Sequence, residues 1–191
     1  MEANILILKS SPRANSNSSL LAGQVAAGAQ EAGAVVKAFN LHDMDIRPCD
    51  ACDTCRETGG VCIIKDDMQT LYRELPQADA IVLASPIYWF TYSAQLKLCI
   101  DRWYAMETEQ GHALAGKKVG ILLTYGDPDL YTSGAINAIY TFESMFRYIG
   151  AEIVGMVYGT ASDPGEIATQ PALLEKAYHL GRELAGAPPA D

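Results

Sequence analysis

The sequence has little positive charge, and this excludes two classes of partner. Its 14 Lys and Arg residues are outnumbered by 23 Asp and Glu residues, which gives a formal net charge of −9. A surface of this sign repels phosphate backbones and anionic lipid headgroups. We therefore expect no nucleic acid partner and no membrane partner.

Long apolar runs are also missing. No stretch approaches the roughly twenty apolar residues that a membrane-spanning helix needs. The first apolar run, residues 5–8, is too short for the apolar region of a secretory signal. The expected location is the cytoplasm, where cysteines rarely pair in disulfides.

Three common catalytic signatures are absent as well. The chain has no G-x-G-x-x-G for a dinucleotide pyrophosphate and no G-x-x-x-x-G-K-S/T for ATP. Its histidines, His42, His112 and His179, are scattered along the chain and form no recognisable Ser-His-acid pattern. A hydrolytic triad is therefore not indicated.

Short apolar runs alternate with longer segments of helical periodicity. The runs predict five strands, at residues 5–8, 35–39, 80–84, 119–124 and 153–158. The intervening segments predict five helices, at residues 18–32, 68–75, 92–105, 134–149 and 171–184. This alternation is typical of βαβ units around a parallel sheet that helices cover on both faces. We expect one domain over residues 1–191, with a cysteine-rich insertion at about 42–66 and a frayed tail from Gly186.

The loop after the first predicted strand is rich in hydrogen-bond donors. In α/β folds, phosphate binds where such a loop meets a helix N-terminus. A hydroxyl-rich loop suits a phosphate monoester, although Ser and Asn also make ordinary turns and N-caps. The candidate phosphate ligands are Ser10, Arg13, Ser16, Asn17 and Ser18.

The third and fourth predicted strands end in residues suited to a flat ligand. Three consecutive aromatic side chains point in different directions from a strand and cannot all be buried in the sheet. They indicate either contacts with a flat ring or packing beneath a loop or at a subunit interface. The candidate ring-binding residues are Ser85, Pro86, Ile87, Tyr88, Trp89 and Phe90 after the third strand, and Thr124, Tyr125, Gly126 and Asp127 after the fourth.

These three loops carry a family resemblance. S-x-P-R-x-x-S-N-S from residue 10, S-P-x-Y-W-F from residue 85 and the Thr-x-Gly turn at residue 124 stand in the order typical of flavodoxin-like NADPH-dependent FMN reductases. The resemblance implies a doubly wound, five-stranded parallel sheet of order 2-1-3-4-5. It also implies that the first loop holds the phosphate of FMN and that the other two frame its ring.

Four of the five cysteines fall in the insertion, as Cys49, Cys52, Cys55 and Cys62. The spacing C-x2-C-x2-C-x6-C is similar to that of the iron–sulfur flavoproteins of archaea and anaerobic bacteria, which implies a [4Fe-4S] cluster beside FMN. Structural zinc, and free or disulfide-switching thiols, remain alternatives. Cys99 has a helical apolar context and is expected to be a small buried hydrophobe.

The favoured hypothesis is an FMN-dependent oxidoreductase that relays electrons between FMN and a [4Fe-4S] cluster. The flavin carries the chemistry, so no catalytic side chain is assigned. NAD(P)H is a candidate donor, and the other partners are small-molecule or protein electron donors and acceptors. A homodimer or homotetramer is expected, because a second subunit would cover the aromatic run at residues 88–90. The alternatives are a cluster-free NAD(P)H-dependent FMN or quinone reductase, and a non-catalytic electron carrier or thiol redox sensor.

Overall fold

Five long parallel strands form the centre of the fold. The computed structural model describes residues 2–188. Its strands are β1 (Asn4–Lys9), β2 (Val35–Asn40), β3 (Ala80–Tyr88), β4 (Thr91–Tyr92), β5 (Glu107–Thr108), β6 (Gly111–His112), β7 (Lys118–Tyr125) and β8 (Glu152–Thr160). Its α-helices are α1 (Asn17–Glu31), α2 (Thr54–Glu57), α3 (Met68–Glu74), α4 (Ala94–Asp101), α5 (Ala135–Ile149) and α6 (Pro171–Leu184).

The strand order of the main sheet is β2-β1-β3-β7-β8, with every neighbouring pair parallel. The order predicted from the resemblance is therefore confirmed, with β7 and β8 as the fourth and fifth strands. The short strand β4 adds an antiparallel pairing at the end of β3. Within the described residues, no helix is long and apolar enough to cross a membrane.

Helices cover both faces of the sheet because its strands are apolar on both sides. In β1, Leu6 and Leu8 pack into the core beneath α3, α4 and α5. Ile5 and Ile7 point the other way, into the core beneath α1 and α6. All four side chains are almost fully buried, as the alternation of a strand between two covered faces requires.

One predicted helix is wrong at both ends. Residues 92–105 do not form one helix, because Thr91 and Tyr92 pair back onto β3 and α4 begins only at Ala94. The backbone N–H of Ser93 donates to the hydroxyl of Ser85 at 3.0 Å, which holds this residue outside the helix. After α4 the chain tightens into a 3-10 helix, Arg102–Met106. The short strands β5 and β6 and the one-turn helix α2 were not predicted, because they are too short to produce a periodic pattern. The predicted frayed tail begins at Gly186, and its last three residues lie outside the described range.

Helices α1 and α6 pack against each other at two glycines, one on each helix. A Cβ atom on Gly28 of α1 would lie 2.0 Å from the backbone oxygen of Tyr178, and one on Gly181 of α6 would lie 2.0 Å from the oxygen of Val25. No real Cβ fits at that distance, so the close approach of the two helices depends on these two glycines.

We predict that Gly28→Ala lowers the free energy of unfolding by at least about 2 kcal/mol, because the new methyl group forces two backbones apart. Gly23→Ala is the matched control in the same helix, since Gly23 is exposed and a Cβ there meets nothing within 4 Å. That change should raise stability by roughly 0.5–1 kcal/mol through helix propensity. Urea denaturation measures both variants, and equal effects would contradict the close-contact argument.

Candidate functional site

A cleft of about 280 Å³ opens at the carboxyl edge of the sheet, where the loops after β1, β3, β7 and β8 meet. This is the edge at which open α/β sheets bind ligands. Ten of the predicted site residues line it, namely Arg13, Ser16, Asn17, Ser18, Pro86, Ile87, Tyr88, Thr124, Tyr125 and Gly126. The three predicted loops therefore do meet at one cleft.

The N-terminus of α1 points its backbone donors at this cleft. Ser16 is the N-cap residue, and its hydroxyl oxygen accepts from the N–H of Ser19 at 3.2 Å. The N–H of Leu20 bonds to the Ser16 carbonyl at 3.0 Å. The N–H groups of Asn17 and Ser18 precede the first intrahelical hydrogen bond. They and the positive end of the helix dipole are available to an anion.

Ser18 provides the strongest indication of a ligand. Its side chain is 1% exposed and lines the cleft. Its hydroxyl has no hydrogen-bond partner within residues 2–188. An unsatisfied buried hydroxyl costs about 1–3 kcal/mol, and a bound polar ligand removes that cost. Close by, the Arg13 guanidinium donates to the carbonyl of Ser162 at 3.0 Å and supplies a cation at the same cleft.

The side chain of Asn17 already makes three hydrogen bonds within the protein. Its amide N–H₂ donates to the carbonyls of Ala161 at 3.2 Å and Asp163 at 2.9 Å, and its oxygen accepts from the N–H of Ile167 at 3.1 Å. These bonds attach α1 to the segment after β8. Asn17 can therefore offer an anion its backbone N–H, while its side chain positions the neighbouring loop.

Ser10 and Ser85 lie behind the cleft rather than in its lining. The Ser93 hydroxyl donates to the Ser10 hydroxyl at 2.8 Å, and the Ser10 hydroxyl donates to the carbonyl of Ala84 at 3.2 Å. The Ser85 hydroxyl accepts from the Ser93 backbone. This buried hydroxyl network joins the first and second loops, so it supports the cleft without lining it.

Trp89 and Phe90 form the tip of a two-residue turn between β3 and β4, and they do not line the cleft. Both have positive φ, 46° and 70°, which is costly for bulky residues. Trp89 is 92% exposed. The turn is held by α5, because Asn137 donates to the Phe90 carbonyl at 3.2 Å and a Cβ on Gly134 would lie 2.6 Å from the Phe90 Cβ.

Asp127, the last of the predicted ring-binding residues, is exposed and lies outside the cleft lining. Four residues of the cleft lining were not predicted from the sequence. Ser11 belongs to the first loop, and Ala161, Ser162 and Pro164 follow β8. The turn residues at 162–165, placed directly after the fifth predicted strand, were the signal that could have revealed this fourth loop.

The four cysteines of the insertion line a second, small cavity of about 20 Å³. Cys49 and Cys52 are exposed, while Cys55 and Cys62 are partly buried. Burial and the neighbouring Cys62 raise the pKa of the Cys55 thiol. Among residues 2–188 no three His, Cys, Asp or Glu side chains are already arranged as a metal site. The cysteines thus share one cavity without forming a ready-made ligand set.

Cys99 belongs to the core beneath α3, α4 and α5. It is fully buried, and burial raises the pKa of its thiol to about 12. This environment matches the small hydrophobe expected from its helical apolar context.

A doubly wound parallel sheet, with a cleft at its carboxyl edge where a helix N-terminus opens, places this protein in the class of open α/β folds. The family model described as flavodoxin-like fold matches residues 3–181, and the chain belongs to this family.

Relatives agree with the family assignment. The chain is 31% identical over 182 residues to an iron–sulfur flavoprotein of Archaeoglobus fulgidus, covering 93% of this chain and 76% of that protein. It is 29% identical over 188 residues to an FMN-dependent NADH:quinone oxidoreductase of Shewanella denitrificans, covering 91% and 94% of the two chains. The resemblance to FMN reductases and their iron–sulfur branch is therefore confirmed.

A solved structure shows the same fold. The NAD(P)H:quinone oxidoreductase from Methanothermobacter marburgensis matches with a TM-score of 0.77 at 21% identity, over 96% of each chain. At this identity the likeness concerns the arrangement of strands and helices.

We predict that replacing Trp89 and Phe90 together by Asn and Gly raises the free energy of unfolding by about 1 kcal/mol or more. Asn-Gly is the pair that adopts two consecutive positive φ angles without strain. The control Trp89→Ala removes the exposed ring but keeps most of the strain, so it should change stability by less than about 0.5 kcal/mol. Thermal and urea unfolding measure both variants against the wild type. An Asn-Gly variant no more stable than the wild type would show that the turn stores no strain.

Proposed function

We propose that this protein is an FMN-dependent oxidoreductase that holds FMN in the carboxyl-edge cleft. The observation that carries the proposal is the buried, unpartnered hydroxyl of Ser18 beside the open N-terminus of α1. A phosphate monoester fits these groups, because its oxygens accept from the Ser18 hydroxyl and from the first backbone N–H groups of α1. The exposed Arg13 guanidinium adds a charge-assisted donor.

The ring side of the cleft is more apolar. Pro86, Ile87 and Tyr88 line it from β3, and Tyr125 lines it from β7. The Tyr125 phenol is neutral at physiological pH, and burial raises its pKa further. Its ring therefore presents a flat uncharged surface. These residues would orient a planar ring and exclude water from one of its faces. Bound FMN supplies both hydride and single-electron chemistry, so the chain need not supply an acid or base.

We propose NAD(P)H as the electron donor, with a small molecule or a protein as the acceptor. The support is the Shewanella denitrificans relative, an FMN-dependent NADH:quinone oxidoreductase that aligns along nearly the whole chain. Steady-state oxidation of NADH or NADPH by the purified FMN form tests this assignment. A protein that retains FMN but oxidises neither nucleotide would instead be an electron carrier.

Removing the Ser18 hydroxyl should separate FMN affinity from stability. We predict that Ser18→Ala raises the FMN dissociation constant about tenfold or more, because a hydrogen bond to a charged group contributes roughly 1.5–3 kcal/mol. The unloaded protein should be no less stable, since the variant removes an unsatisfied buried hydroxyl.

Ser19→Ala is the matched control one residue further along α1. The Ser19 hydroxyl accepts from Ser16 at 2.8 Å and does not line the cleft. Quenching of flavin fluorescence gives the affinities. Equal FMN affinity in Ser18→Ala and Ser19→Ala would remove the phosphate assignment.

We further propose that Cys49, Cys52, Cys55 and Cys62 hold a [4Fe-4S] cluster. The donor set fits, because four thiols that line one cavity supply the four thiolates such a cluster needs. The cavity is small, and Cys49 and Cys52, which line it, are exposed at the surface. The iron–sulfur relatives support this assignment over structural zinc.

Anaerobically purified protein should contain iron and acid-labile sulfide together with FMN. We predict that Cys55→Ala sharply lowers iron and sulfide while FMN content is unchanged, because the cysteines lie outside the FMN cleft. Cys99→Ala is the control, since Cys99 lies in the core and not at the cysteine cavity.

Three other results would contradict the cluster. Zinc without sulfide would indicate a structural metal site. A thiol count that changes between oxidised and reduced protein, without iron, would indicate switching thiols. Stoichiometric FMN with neither metal nor sulfide would leave a cluster-free FMN reductase.

The homodimer or homotetramer and the cytoplasmic location stay predictions. Exposed aromatic side chains at Trp89 and at Tyr140 and Tyr148 of α5 are compatible with a second subunit. The five cysteines are all unpaired in the described residues, as a reducing compartment favours.

A further inference from the structure

A buried arginine lies beneath the cysteine loop, at a place that the FMN cleft does not use. Arg102 directly follows α4, and its side chain is 1% exposed. Burying a guanidinium is costly unless its charge is paired and its N–H groups are hydrogen-bonded. The partners of Arg102 therefore indicate why it is there.

Two of these partners hold the ends of the loop. One terminal nitrogen, Nη1, donates to the Asp66 carboxylate at 2.6 Å and to the Arg47 carbonyl at 2.9 Å. Asp66 in turn accepts from the backbone N–H groups of Arg47 at 3.0 Å and Met68 at 3.1 Å. The guanidinium and carboxylate thus fasten both ends of the segment that carries the four cysteines.

The third partner is a sulfur atom. The other terminal nitrogen, Nη2, donates to the Sγ atom of Cys62 at 3.2 Å, and lies 3.4 Å from the second Asp66 oxygen. Fastening the loop requires only Asp66 and the Arg47 carbonyl. The contact with Cys62 is additional, and the rigid fork of the guanidinium directs it.

The lining of the cysteine cavity is mostly acidic. Three carboxylates line the cavity, those of Asp50, Asp53 and Asp101, the last of which is paired with Lys97. Among residues 2–188, Arg102 is the one cationic side chain in that lining, and Asp66 already pairs its charge. Four thiolate ligands would add further negative charge. A buried cation with an N–H group directed at one of the sulfurs offsets this charge more effectively than an exposed cation screened by water.

We propose that Arg102 is a positioning residue for the sulfur centre of the cysteine loop. Its Nη2 donates to the Cys62 sulfur, fixes that ligand in place, and stabilises negative charge on that sulfur. The inference rests on the proposed [4Fe-4S] cluster. It adds that a residue outside the cysteine motif sets the retention of iron and the reduction potential of the cluster.

The test uses the full chain, purified anaerobically with FMN and cluster bound. The main variant is Arg102→Met combined with Asp66→Asn, because the second change avoids leaving an unpaired buried carboxylate. The matched control is Arg56→Met, which removes a cation from the same loop. Arg56 is exposed and contacts Glu107 at 3.0 Å and the ring of Tyr104.

We expect the double variant to lose iron to a chelator about tenfold faster than wild type, since outer-sphere partners typically change metal affinity by 10–100-fold. We also expect a lower midpoint potential, because the reduced cluster loses the hydrogen bond that Nη2 donates to the Cys62 sulfur, while the paired charges of Arg102 and Asp66 are removed together. Arg56→Met should change both measurements much less than the double variant, because this cation is exposed to water and donates to no sulfur. Arg102→Lys keeps the charge without the fork, so it should restore most of the potential but less of the iron retention.

Unchanged FMN content reports that each variant is folded. A double variant with the potential and iron-release rate of Arg56→Met would overturn the role of Arg102 and leave the cluster assignment intact. Wild-type protein without iron and sulfide would overturn both. If the double variant does not fold, Arg102→Lys alone decides, because iron release as slow as in wild type would show that the guanidinium fork is not needed and would overturn the proposed role of Arg102.

Discussion

The central sheet is covered on both faces, and this constraint determines where polar chemistry can occur. Strands such as β1 alternate apolar side chains between two cores, so neither face of the strand is free for a binding site. Polar side chains are confined to the ends of the strands and to the long connections. Because all five long strands are parallel, their carboxyl ends meet at one edge. The cleft that we propose for FMN lies at that edge, and the cysteine loop lies in the longest connection.

Much of this arrangement could be predicted from sequence, because it depends on local patterns. Apolar runs located the strands, and the loop at residues 10–18 indicated a phosphate site from its donors and the helix that follows. The roles of individual hydroxyls could not be predicted in this way. Ser10 and Ser18 belong to the same loop, yet Ser10 bonds to Ser93 and Ser18 has no partner among the described residues. That difference depends on which strand lies next to the loop, and sequence order does not reveal it.

The cysteine loop gives a second example of a contact that cannot be predicted from the sequence. Its spacing predicted four sulfur ligands, but no local pattern connected it to Arg102, which is 40 residues from Cys62 and 36 from Asp66. In the sequence Arg102 ends an ordinary amphipathic segment and resembles a surface charge. Only the packing of α4 against the loop reveals that this charge is buried. Residues that support a site from another element are therefore the ones that single-sequence reasoning tends to miss.

Helix α4 fixes the geometry between the two sites. It begins one residue after Ser93, in the hydroxyl network behind the FMN cleft, and ends one residue before Arg102. Its eight residues span about 12 Å at about 1.5 Å per residue. Inserting or deleting one residue would rotate Arg102 by about 100° and direct it away from Cys62. A change in the length of α4 therefore changes the direction of Arg102 as well as the distance between the sites. Substitutions on α4 change neither, so evolution can vary its side chains more freely than its length.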